Sequence, residues 1–144
     1  AAANTSAVVG FGSVVKAAVG FPVLCSAIEN IPGPPLVAVA LATTLIAGIC
    51  GSGSGGLGIA APILKPIFVD GLGININVLH RMMLIASSGL DSLPHNGFVV
   101  TVINGVCGET HKDAYMPVFW LTVITPLIAT VVGIILFTLF PMWP

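Results

Sequence analysis

Gly51-Ser52-Gly53-Ser54-Gly55-Gly56 sits inside 35 residues, 30 to 64, that carry no charged side chain. A membrane-crossing helix needs about 20 apolar residues, because ~30 Å of hydrocarbon is crossed at ~1.5 Å per residue. The uncharged run is long enough to span, and so are the 31 uncharged residues from 114 to 144. The glycines put a weakness in the first of these. Five of the eight residues Gly51 to Gly58 are glycine, and each costs about 0.8–1 kcal/mol in a helix relative to alanine. One reading is therefore a helix opened at this point, at membrane depth, where irregular backbone is tolerated only inside protein or along a cavity.

Composition agrees with a membrane setting. Of the 144 residues, 56% are hydrophobic and 6% charged, with mean hydropathy +1.10, against roughly 25% charged in soluble domains. A soluble chain of this size could not hide that much apolar surface. The net charge of −1 offers no basic face for nucleic acid. Ala1-Ala2-Ala3-Asn4 opens the chain without methionine or a basic n-region, which reads as a piece of a longer chain whose N-terminal part is missing. Cys25, Cys50 and Cys107 lie in apolar sequence and read as packing thiols, with no metal or disulfide spacing.

The expected fold is an all-α membrane protein, a polytopic bundle with broken or re-entrant helices. Residues 1–33 read as an interfacial segment and loop, broken at Gly20-Phe21-Pro22. Residues 34–69 read as a broken helix, with a span from Leu36 to Cys50 and a second helix from Leu57 to Val69. Residues 75–107 read as a further broken or re-entrant pair. Residues 114–141 read as the final span, after a polar loop at Gly108 to Asp113. Trp120 and Trp143 are candidate interface anchors. Lys16 and Lys112 against Lys65 and Arg81 tie two to two, so orientation is unreadable.

The glycine run also matches G-x-G-x-x-G, but no βαβ unit surrounds it and Leu57 stands where a Walker lysine would be. A plainer reading is helix packing: Gly51 and Gly55 form G-x-x-x-G, and Gly48, Ser52 and Gly56 repeat small residues every four. The functional reading is an anion cradle, with freed amides and the Ser52 and Ser54 hydroxyls at a positive helix end.

A second constellation is Ser87-Ser88-Gly89-Leu90-Asp91-Ser92-Leu93-Pro94-His95-Asn96-Gly97. Pro94 disfavours helix at Leu93, and Asn96-Gly97 is a turn pair. Ionisable groups at membrane depth are costly and are functional candidates by default. An ordinary connecting loop is the alternative, though the flanking halves are each too short to cross alone. His80, His95 and His111 are 15 and 16 residues apart, which is no local metal pair. No G-x-S-x-G elbow accompanies the serines, so no enzyme is expected.

Ser88 to Gly97 resembles a C-terminal motif of the gluconate permease family, and within it the D-β-hydroxybutyrate permease branch. Gly108 to Tyr115, the Trp120 to Gly133 span and the Gly51 to Gly56 run are similar too. The resemblance covers essentially the whole chain and the C-terminal part of a permease several times longer. It implies an inner-membrane, multi-pass symporter of ion-transporter architecture, with inverted repeats and re-entrant hairpins, coupling a small organic acid anion to protons. Leu93-Pro94 departs from the gluconate branch and favours a shorter, less polar hydroxy acid.

The expected site follows. Gly51, Ser52, Gly53, Ser54, Gly55, Ser92 and Asn96 contact the substrate anion, Asn96 by donating a hydrogen bond. Asp91 or His95 carries the coupling proton, since histidine titrates across physiological pH and an arriving anion raises proton affinity nearby. No cofactor is expected beyond the coupling ion, a proton or Na+. The expected partners are the organic anion, the lipid bilayer and the rest of the permease, with homo-oligomerisation left open and nucleic acid excluded. A sodium-coupled carrier of the same architecture and a non-transporting anchor subunit are the alternatives.

Overall fold

The computed structural model describes residue 14 and residues 17–29 and 31–140. Lys16 and Trp143, and most of the expected interfacial segment, lie outside these residues. Among the described residues the chain is helical and holds no strand.

Helix α1, Phe21–Glu29, has Pro22 in its first turn, where the missing N–H costs nothing. Ile31 to Pro34 turns the chain, with Gly33 at φ +119°, and Pro35 starts α2, Pro35–Cys50, with its φ already helical. Gly51 ends α2 in the left-handed region, φ 58° and ψ 34°. The Gly51 amide donates to the Gly48 carbonyl and the Ser52 amide to Ala47, both at 3.2 Å, which is a Schellman closure. Ser52, extended at φ −162°, then caps α3, Gly53–Leu64.

The opening is thus the two residues Gly51 and Ser52, not the whole glycine run, and α3 begins at Gly53 rather than Leu57. The remaining glycines sit inside α3 because it folds back along α2. A Cβ at Gly56 would stand 2.5 Å from the Ala47 Cα, so only glycine permits this approach. The uncharged run is consequently a hairpin. Its first arm has 16 residues, about 24 Å at the α-helical rise, short of the ~30 Å that a span needs.

Past Leu64, α3 continues in wider turns over Lys65–Gly71, with Pro66 in the first of them. Helix α4, Ile76–Ser87, is capped by the Asn75 side chain, which accepts from the Asn77 amide at 2.8 Å. After the irregular stretch 88–96, α5 runs Gly97–Val106, with wider turns from Thr101. Helix α6, His111–Leu139, widens at Trp120–Ile124 after Pro117. It starts before Tyr115, taking in part of the expected loop. The Thr110 carbonyl accepts from the Asp113 and Ala114 amides, and Asp113 suits the positive end of the first turn.

Helix α6 has 29 residues, a mean hydropathy of 2.3 in its most apolar window, and only 17% of that window buried. Its length, about 43 Å, is ample for a bilayer. It is the one helix long and apolar enough to cross a membrane among the described residues. The core lies where α2 packs on α3 and α4, around Val39, Ile59, Leu64 and Met82. Thr44 Oγ1 donates to the Ala86 carbonyl at 2.8 Å, a buried polar tie between α2 and α4. Helix α6 closes the far side of α4, with Gly133 beside Met82 and Ile85.

Candidate functional site

Both helix interruptions end at the same place. The α2–α3 break exposes the last carbonyls of α2 and the first amides of α3. The 88–96 stretch, held by tight turns from Ala86 and Leu93 carbonyls to the Gly89 and Asn96 amides, lies against it. His95 Nε2 is 2.9 Å from the Gly48 carbonyl oxygen. A carbonyl only accepts, so Nε2 carries the hydrogen. Asn96 Nδ2 donates to the Gly51 carbonyl at 2.7 Å and to the Asp91 carbonyl at 2.6 Å. Asn96 Oδ1 accepts from the Phe98 and Val99 amides at 2.7 and 3.1 Å, capping α5.

The glycines divide the work. Gly51 supplies the left-handed turn, and a Cβ there would be 3.1 Å from the His95 ring. Gly48 packs on Leu90, and Gly56 on Ala47, so the packing reading applies to these two. At Gly53 a Cβ would stand 3.0 Å from Asp91 Oδ2. The Asp91 carboxylate therefore lies over the first residue of α3, while its Oδ1 accepts from Ser92 Oγ at 2.8 Å.

Of the amides in the run, those of Gly51 and Ser52 close α2, and that of Gly56 bonds the Ser52 carbonyl. The Gly55 amide donates to Ser52 Oγ at 3.2 Å. The Gly53 and Ser54 amides are the first two of α3, where the helix itself supplies no acceptor, and the Ser54 hydroxyl, exposed, is 3.4 Å from Ser52 Oγ. The structure thus brings Gly51, Ser52, Gly53, Ser54, Gly55, Asp91, Ser92, His95 and Asn96 to one site. Within it the Gly55 amide is donated to the Ser52 cap, and Asn96, only 8% exposed, has both amide hydrogens on the Gly51 and Asp91 carbonyls.

Asp91 and His95 are not an ion pair here; among the described residues the ion pair within 4 Å is Lys65–Asp70, elsewhere on the chain. The bend at Leu93-Pro94 turns the imidazole to Gly48 instead. Tyr115 joins the site although it is not among the residues expected there from the sequence. Its hydroxyl donates to the Ser92 carbonyl at 3.0 Å, tying the 88–96 stretch to α6, and its ring stacks on His111 at 5.9 Å. It is the one tyrosine of the chain, a lone phenol at the head of an apolar helix, and that is the signal that would have found it. Apolar hollows of about 390 and 520 Å³ lie elsewhere. One is at the opposite end of α2, among Pro34, Leu36 and Phe137, and the other is between Pro62 and His80.

The chain is 42% identical over 127 residues to a protein of Bacillus subtilis (strain 168) named "Uncharacterized transporter YxjC". The match takes in 86% of this chain and 27% of that protein, so the chain spans about a quarter of the curated relative it matches. No protein-family model matches the chain. No solved structure matches it either.

Proposed function

We propose that the chain is part of a secondary active transporter that carries a small organic hydroxycarboxylate, such as D-3-hydroxybutyrate or gluconate, across the cytoplasmic membrane with protons. The reading rests on one observation: two interruptions of apolar helices meet, and the carboxylate between them among the described residues, Asp91, lies over the first residue of α3. Likeness to a protein named a transporter supports transport. The motif resemblance to gluconate permeases supports the substrate class and the multi-pass, inner-membrane setting.

In this reading the Gly53 and Ser54 amides and the Ser52 and Ser54 hydroxyls receive the substrate carboxylate. An anion beside ionised Asp91 is opposed by like charge. A proton on Asp91 removes that opposition, so anion and proton bind together, each raising the affinity for the other. His95, its Nε2–H held by Gly48, offers Nδ1 as a second proton acceptor. Counterflow of labelled D-3-hydroxybutyrate and gluconate in proteoliposomes of the full-length protein tests this. Accumulation driven by an imposed proton gradient supports it. Accumulation driven by a sodium gradient alone favours the sodium-coupled carrier. Absence of any counterflow with a panel of small carboxylates favours the anchor subunit.

A further inference from the structure

We propose that Asn96 is a positioning residue, a brace that fixes the two helix interruptions at one separation. The carboxamide makes four hydrogen bonds at once. Two are donated to carbonyls on either side of the gap, Gly51 at the end of α2 and Asp91 within 88–96. Two are accepted from Phe98 and Val99 at the start of α5. Only a side chain with both two donor hydrogens and an acceptor oxygen does this, and glutamine is one methylene too long for the same geometry. Asn96 itself is buried, 8% exposed, and Gly51 and Asp91, whose carbonyls it satisfies, are half-buried, so its loss leaves two partly desolvated carbonyls without their donor.

The backbones are built for this contact. A Cβ at Gly51 would be 3.5 Å from the Asn96 Cα, and His95 adds a parallel bond to Gly48. Displacing the α2–α3 break therefore pulls on Asp91 through Asn96. For the transport cycle, which rests on the reading above, the brace holds Asp91 over Gly53 so that the cradle and the proton-carrying group move as one.

The substitution Asn96→Asp separates the brace from the cap. Ionised aspartate is as good an N-cap as asparagine, yet it offers no hydrogen to the Gly51 and Asp91 carbonyls. The measurement is dipolar EPR on the full-length protein at pH 8, with the native cysteines replaced by alanine. Spin labels go at Ser54→Cys and Phe98→Cys, both exposed. The brace predicts a narrow distance distribution with Asn96 and a broadened one with both Asn96→Asp and Asn96→Ala. Without labels, both variants should raise the KM for D-3-hydroxybutyrate at least fivefold while remaining monodisperse. If Asn96→Asp fails to assemble, Asn96→Gly, nearly as good an N-cap and without any side-chain donor, gives the same comparison. An Asn96→Asp distribution matching wild type while Asn96→Ala broadens would leave only a cap, and unchanged distributions in both would leave neither. The distances need no transport, so a protein that moves no substrate overturns the proposed function and leaves the brace to stand or fall on EPR.

Discussion

Gly51→Ala, alone and with His95→Ala, asks whether the two interruptions touch. An alanine forced to φ 58° costs about 1–2 kcal/mol. The smaller entropy of its unfolded chain returns about 0.4–1 kcal/mol. The new methyl would also stand 3.1 Å from His95 Cδ2 and 3.2 Å from Nε2, so the ring must move and strain its bond to Gly48. The single variant should lose about 1–2 kcal/mol, the strain at a special φ adding to crowding. His95→Ala removes the ring and with it the crowding, but not the left-handed cost. The double variant should therefore be less destabilised than the sum, with a coupling of about 0.5–1 kcal/mol, in the range for residues in contact. Equilibrium unfolding in mixed micelles, followed by tryptophan fluorescence, measures all four corners of the cycle. Costs that add within about 0.3 kcal/mol, the behaviour of distant sites, would refute the contact.

Ser52→Ala should remove the α3 cap for about 0.5–2 kcal/mol and also weaken apparent substrate affinity, read as a raised KM. Tyr115→Phe deletes the bond to Ser92 and should cost about 0.5–1.5 kcal/mol in the same unfolding assay, with an unchanged loss in a Ser92→Ala background because the acceptor is backbone. Gly56→Ala should destabilise despite the better helix former, because its methyl meets Ala47 backbone at 2.5 Å. Gly97→Ala, with nothing within 4 Å, should not.

The ends of the helices were legible where the side chain sets them. Pro35 opens α2, Asn75 opens α4 and Asn96-Gly97 opens α5, each by local chemistry. The two-residue break was not locatable within the run, because several glycines there could each have taken the left-handed turn. Gly51 takes it and Gly56 does not, because Gly56 is needed against Ala47, a contact made only once the hairpin closes. Charge counting read the uncharged run as long enough to span for the same reason: composition measures hydrophobic length and says nothing of a reversal inside it.

The site was legible as a collection of polar residues and not as a set of partners. Spacing put Asp91 four residues before His95, and the bend at Pro94 separated them. Asn96 read as a ligand because a buried carboxamide has donors to spare until its neighbours are known. Its two carbonyl partners come from chain 45 and 5 residues away, and backbone acceptors leave no mark in a sequence.

Asp91→Asn tests the coupling most directly, with uptake of labelled D-3-hydroxybutyrate in proteoliposomes measured both as counterflow and as accumulation under an imposed proton gradient. The amide keeps the shape and removes the charge that opposes the anion. The variant should retain counterflow and lose gradient-driven accumulation, and His95→Gln should lose less. Accumulation by Asp91→Asn at the wild-type level would show that the carboxylate over Gly53 carries no proton, and the account of coupling would be wrong.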